Sequence, residues 1–226
     1  RVHVIPNAAD LDLFNAPSEA GRGFRAGFDW LGNRPLVLYA GALGRINGVD
    51  YLARLAAAAH AMDPEVRFLV LGKGAELERV SHEARRLAVL GRSFFMLDMV
   101  PKADMPSVLS ATTVATSLFV DLPEMWANSA NKFFDALAAG RPLAINYQGW
   151  QADLLRETGA GIVLDVSDPY AAAAQLVQAV RDPTWVEQAG IAARRLAEEQ
   201  FSREALTRQL EAVLRDAVAG CDGHQD

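Results

Sequence analysis

Cysteine is nearly missing from this chain of 226 residues: Cys221 is the single one. A lone thiol excludes a disulfide framework and any cysteine-rich metal site. Histidine is scarce as well. His3, His60, His82 and His224 stand without ligand spacing, which argues against zinc. No apolar run approaches the roughly 20 residues that span a bilayer, and no basic-then-apolar leader opens the chain. A basic stripe is also lacking: 22 Lys and Arg against 28 Asp and Glu leave a net charge of −6. That balance excludes nucleic acid as an expected partner. No serine, histidine and acid stand as a nucleophilic triad, and no acid pair suits glycoside hydrolysis.

What is present is an ordinary globular composition, 51% hydrophobic and 22% charged. A chain of this length removes roughly 70% of its unfolded surface from water, so it needs no staple. Short apolar runs alternate with helical stretches. Residues 34–41 and 66–72 are apolar runs ending on glycine, the signature of buried parallel strands followed by tight turns. Further strands are expected at 93–97, 112–119, 143–146 and 161–164. Helices are expected at 49–62, 75–90, 105–110, 131–139, 151–158, 170–180, 185–199 and 203–219. Gly140 is expected to cap the helix begun at Asn131, and 221–226 to be a frayed tail. Strands alternating with helices imply right-handed crossovers and an α/β, doubly wound, mostly parallel Rossmann-like sheet of about six strands. Ligands of such sheets bind beyond the carboxyl ends of the strands.

Two strand-end loops stand out. The run Gly41-Ala42-Leu43-Gly44-Arg45-Ile46-Asn47-Gly48 places three glycines between a strand and a helix, where backbone amides can approach an anion. Its spacing is neither the dinucleotide fingerprint nor a P-loop, and a connection that merely needs glycines to turn has the same composition. In Asn128-Ser129-Ala130-Asn131-Lys132-Phe133-Phe134-Asp135, Ser129 is the expected N-cap and Lys132 falls in the first helical turn. A cation there opposes the helix dipole, which makes sense if an anion sits between them. Asp135, three residues on, would then accept ribose hydroxyls. The alternative is a plain surface ion pair of Lys132 with Asp135. Lys73 follows the second strand and either reaches an anion or is simply solvated. Trp126 and Met125 follow the fourth strand, where an aromatic either covers a ligand or shields the core. Trp150 and Trp185 read as packing residues.

The chain is similar to the C-terminal domain of GT-B glycosyltransferases of family 4. Val4-Ile5-Pro6-Asn7-Ala8-Ala9-Asp10 with Phe14 resembles the linker leading into that domain. Leu38-Tyr39-Ala40-Gly41, Phe68-Leu69-Val70-Leu71-Gly72-Lys73-Gly74 and Val100-Pro101-Lys102 resemble its successive strand ends. Phe134-Asp135-Ala136-Leu137-Ala138-Ala139-Gly140-Arg141-Pro142 resembles its Leu-Glu-Ala-Met-Ala-x-Gly-x-Pro segment. The resemblance implies residues 1–14 as a linker from a missing N-terminal acceptor domain, 15–200 as the nucleotide-sugar-binding domain, and 201–226 as a C-terminal helix and tail. It implies a nucleoside-diphosphate sugar as ligand, no metal ion or other cofactor, and retention at the anomeric carbon. By the same analogy Met99 and Val100 read the base and Asp135 holds the ribose. The loops carrying Gly41, Ala42, Gly44, Arg45 and Asn47, and Asn128, Ser129, Asn131 and Lys132, hold the diphosphate.

The sequence departs from the family where many members have an arginine, a lysine and a glutamate: Ala42, Asn47 and Ala127 stand there. Asp135 is a shortened form of the second glutamate. Lys132, with Arg45 or Lys73, would replace the lost cations. The Ser-x-Asn-Lys pattern resembles a sub-branch of bacterial surface-polysaccharide biosynthesis. The implied function is therefore UDP-sugar-dependent hexosyl or N-acetylhexosaminyl transfer by a cytoplasmic enzyme. A lipid-linked acceptor would bring it to the inner membrane, and the isolated domain is expected to be inactive. A GT-B-fold nucleotide-sugar epimerase and a degenerate scaffold domain are the alternatives.

Overall fold

The computed structural model describes residues 2–222 of the chain. Six strands, β1 (Leu36–Ala40), β2 (Arg67–Leu71), β3 (Phe94–Leu97), β4 (Val114–Ser117), β5 (Leu143–Ile145) and β6 (Gly161–Val163), form one sheet. All pairings are parallel, in the order β3-β2-β1-β4-β5-β6. The helices among the described residues are α1 (Ser18–Ala26), α2 (Asp50–Met62), α3 (Leu77–Arg86), α4 (Met105–Ala111), α5 (Asn131–Ala138), α6 (Trp150–Thr158), α7 (Pro169–Arg181), α8 (Pro183–Gln200) and α9 (Arg203–Asp222).

Strand alternation builds two cores. Leu36, Leu38, Leu69 and Leu71 face one side, under α1, α4, α5, α6 and α8, while Val37, Tyr39, Phe68 and Val70 face α2, α3 and α7. Each such fully buried apolar side chain contributes roughly 1.5–3 kcal/mol. Both faces are covered, which is why β1 is apolar throughout and β2 is apolar after Arg67, whose guanidinium donates to the Trp30 and Pro64 carbonyls.

Local chemistry sets the helix ends. Asp168 and Asp182 each precede a proline at the first helical position. Each carboxylate accepts two backbone N–H groups of the first turn, from Tyr170 and Ala171 and from Thr184 and Trp185. α7 and α8 therefore begin at Pro169 and Pro183, slightly before the expected 170 and 185. Gly140, at φ +61°, ends α5 one residue beyond the cap: Arg141 N–H reaches the Ala136 carbonyl and Gly140 N–H that of Leu137. β4 is shorter than 112–119. The Thr112 hydroxyl is spent on the Val108 carbonyl, and Phe119 is clamped through both its N–H and its carbonyl by the Asn146 amide. α9 runs through Cys221 and Asp222 instead of fraying there, and residues 223–226, with His224, lie outside the described residues.

The strand order reverses between β1 and β4. The loops leaving those two strands diverge at that point and open a crevice on the carboxyl edge.

Candidate functional site

A cleft of about 300 Å³ lies at this reversal. Ala40 and Gly41 from the end of β1, Leu71 from β2, Met99, Val100 and Lys102 after β3, Met105 of α4, and Asn131, Lys132 and Asp135 of α5 line it.

Lys132 is the second residue of α5, and its side chain runs back across the end of β1. Its ammonium lies 3.1 Å from Tyr39 Oη, 4.6 Å from the centre of the Tyr39 ring and 5.3 Å from that of Phe119. Gly41 makes room for it: at φ +151° a Cβ there would sit 3.2 Å from Lys132 Cε. Tyr39 is itself fully buried, and its hydroxyl donates to the Ala42 carbonyl at 2.7 Å. Lys132 has no carboxylate partner among the described residues, so the expected alternative of an ion pair with Asp135 is not formed. Desolvation without a counter-charge pushes the ammonium down to about 8. The cation sits beside the amide end of α5, where the helix dipole adds a second positive contribution. Such a pair of sources attracts an anion.

Asp135 lies one turn further along α5. Burial pushes its carboxyl up to about 6, against the opposing pull of Lys102 and with a further push from Asp10. It lines the same cleft, where a carboxylate can accept from hydroxyl groups.

Of the residues singled out from the sequence, the structure brings Gly41, Met99, Val100, Asn131, Lys132 and Asp135 together in the cleft wall. The others lie elsewhere. Asn47 is buried, and its Oδ1 accepts the Gly44 N–H at 3.2 Å, so it holds the first loop in shape. The Gly41 and Leu43 N–H groups donate to the Leu71 and Lys73 carbonyls, each at 2.9 Å. Of the first-loop amides, those of Gly41, Leu43 and Gly44 are thus committed within the protein. Ala42 contributes its carbonyl to Tyr39 and is exposed, and Arg45 and Lys73 are exposed and do not line the cleft. Asn128 shapes the approach to α5: its Nδ2 donates to Met125, its Oδ1 accepts from Ala130 N–H, and its carbonyl accepts from Trp150. Trp150 and Trp185 pack on the two cores, and Trp126 covers Gly149.

Ser129 is not the N-cap of α5. Ala130 holds that position and has no side-chain oxygen to cap with, and the Ser129 hydroxyl accepts instead from the backbone N–H of Asn7. Asn7, Tyr39 and Lys102 are the neighbours that sequence reasoning did not place in the site. All three stood inside motifs already noted, but none was assigned a role there. Lys73, Lys102 and Lys132 are the only lysines of the chain, and each follows the carboxyl end of a strand.

Comparison with known proteins places the chain in a family. The family model described as "Glycosyl transferases group 1" matches residues 34–182. The chain is 30% identical to the alpha-maltose-1-phosphate synthase of Mycolicibacterium smegmatis, over 97% of its own length and 58% of that protein. It therefore spans little more than half of this relative. Among solved structures, sucrose-phosphate synthase from Thermosynechococcus elongatus superposes with a TM-score of 0.80 at 22% identity, covering 96% of this chain and 53% of that one. Anabaena HepE in complex with UDP-glucose gives 0.79 at 17% identity, covering 95% and 57%. At these identities the likeness concerns the fold.

Proposed function

The chain belongs to the group 1 glycosyl transferases, as a GT-B-type C-terminal-like domain, and from that premise we propose that it is the donor-binding half of a retaining, UDP-sugar-dependent enzyme. In this reading residues 15–200 hold the nucleotide-sugar. Residues 1–14 lead in from an acceptor-binding half, and 201–226 form a closing helix and tail. The observation that carries the reading is the half-buried Lys132 ammonium, held at the end of β1 by the Tyr39 hydroxyl and the Tyr39 and Phe119 rings, with no carboxylate beside it among the described residues.

The chemistry follows from placement. Glycosyl transfer breaks the bond between the anomeric carbon and the diphosphate, and negative charge grows on the leaving phosphate. Lys132 and the amide end of α5 are aimed at that charge, in a crevice where water is displaced and electrostatic attraction is correspondingly strong. Asp135 accepts the ribose hydroxyls and positions the nucleotide. The Met99 and Val100 backbone, at the exposed lip after β3, faces the base. Both carboxylate and ammonium hold the donor, and neither moves a proton in this scheme. That HepE was solved with UDP-glucose supports the choice of donor.

Acceptor recognition falls to the other half, so the 226-residue chain alone binds donor without transferring sugar. The proposed setting is bacterial polysaccharide synthesis on the cytoplasmic side, with hexosyl or N-acetylhexosaminyl transfer to a lipid-linked acceptor. No helix of the described residues is long and apolar enough to cross a membrane. A thermal-shift panel of UDP, GDP, ADP and their sugar conjugates tests the reading. A ligand at a hundredfold its dissociation constant adds roughly 2.7 kcal/mol of stability. UDP compounds should raise the melting temperature most, and a flat response to every nucleotide would refute donor binding.

A further inference from the structure

The segment preceding α1 touches the cleft walls at two points. Asn7 is far from α5 in sequence, yet its backbone N–H donates to Ser129 Oγ at 3.0 Å. Its Nδ2 donates to the Ser129 carbonyl at 2.6 Å and to Asn131 Oδ1 at 2.8 Å. Three residues on, the Asp10 carboxylate lies 3.9 Å from Lys102 Nζ and is held by Arg203 at 2.7 Å. Between them, the Ala9 N–H donates to the Phe201 carbonyl at 2.7 Å and fastens the segment to the end of α8.

The hydrogen bonds around Asn7 can run in one direction only. A peptide carbonyl only accepts, so the Asn7 atom facing the Ser129 carbonyl is the amide nitrogen. That nitrogen only donates, so the Asn131 atom facing it is the oxygen. The other end of the Asn131 side chain, its NH₂ group, is then the end left for the cleft that Asn131 lines. Its sequence neighbour there is Lys132. Without Asn7, the last torsion of Asn131 has two broad, nearly equivalent wells half a turn apart, and one of them presents the oxygen to an incoming anion.

We infer that Asn7 is a positioning residue of the nucleotide-sugar site, fixing the Asn131 amide so that its N–H groups, beside Lys132, meet the oxygens of a nucleoside diphosphate. The inference rests on the donor-site reading above and adds a residue of the lead-in segment to it. It also ties donor affinity to the seating of that segment on α5.

A double-mutant cycle on the 226-residue chain tests this with UDP as the probe, by calorimetry. Asn7→Ala and Asn131→Ala are each expected to weaken UDP binding by roughly 3- to 10-fold, the span of one net hydrogen bond. The double variant is expected to bind no more weakly than Asn131→Ala alone. Additive losses, or unchanged affinity in Asn7→Ala, overturn the inference, since a segment that merely anchors the fold acts independently of Asn131. Melting temperatures without ligand check folding, and Asn7→Leu replaces Asn7→Ala in the cycle if the latter does not fold. If the unaltered chain ignores UDP, or Lys132→Ala leaves UDP affinity intact, the donor-site reading itself fails and this inference falls with it. Loss in Lys132→Ala with no coupling between 7 and 131 refutes the inference alone.

Discussion

The Lys132 ammonium donates to the Tyr39 hydroxyl at 3.1 Å, and that hydroxyl in turn donates to the Ala42 carbonyl at 2.7 Å. A strand residue thus orients the cation of a helix that begins more than ninety positions later, and ties it to the first loop. Tyr39→Phe keeps the ring and removes the relay, leaving a buried ammonium with aromatic faces only. We expect it to lower stability by about 1–3 kcal/mol and to weaken UDP binding, with melting curves and titrations as the checks. A variant indistinguishable from the parent in both would mean that the hydroxyl does not support Lys132.

The same burial makes Lys132 a cost to the empty protein. Its ammonium titrates near 8 in the fold against an ordinary 10.5. Between those values the unfolded chain binds a proton that the folded chain has released, so this group makes stability rise with pH across that window. At neutral pH the full cost remains, on the order of 3 kcal/mol. Lys132→Met should therefore be more stable than the parent without ligand, and the gain should shrink from about pH 8 to 10.5. Denaturant midpoints measured across that range decide it; a less stable methionine variant contradicts the electrostatic picture.

Donor binding should have two pH limits. Asp135, pushed up to about 6 by burial, accepts ribose hydroxyls fully only when ionised, so affinity falls as pH drops through 6. Lys132 must be protonated to attract the diphosphate, so affinity falls again as pH rises through about 8. A UDP-sugar is the right probe, because its diphosphate does not titrate in this range whereas the terminal phosphate of UDP does. Asp135→Asn should flatten the acidic limb and leave the alkaline one. Persistence of both limbs in that variant would assign the acidic one to another group.

Gly72 shows how closely the first loop is packed on the second strand. A Cβ there would overlap the Gly41 carbonyl oxygen, and one on Gly74 would overlap that of Leu43. Gly72→Ala should cost about 1–3 kcal/mol by overpacking and should weaken donor binding, because Gly41 also carries the Lys132 stem. Unaltered stability would show that the loop yields freely.

Much of the architecture was legible because strands such as β1 and β2 are apolar runs leading into glycine, and helices such as α5 and α2 have chemical stops at Gly140 and at Asp63-Pro64. α1 was not legible. Gly21 and Gly23 argue against a helix locally, yet Gly21 is what lets the backbone of α1 press on the Ser110 carbonyl of α4. Propensity lost there to a tertiary contact. Within the site, Lys132 and Asp135 were readable as a cation and an acid one turn apart at the start of a helix. Ser129 looked equally like a cap, and only Asn7, far away in sequence, diverts its hydroxyl. The first loop looked like an anion nest, but its N–H groups at Gly41, Leu43 and Gly44 are used by β2 and by Asn47. Partners contributed by distant segments leave no mark on local spacing.

Calorimetric titration of UDP into the parent chain and into Lys132→Ala tests the central claim most directly. The lysine variant is expected to lose roughly 1.5–3 kcal/mol in binding, the range for a hydrogen bond to a charged group, or about 10- to 150-fold in affinity. Equal affinity in the two proteins would contradict it.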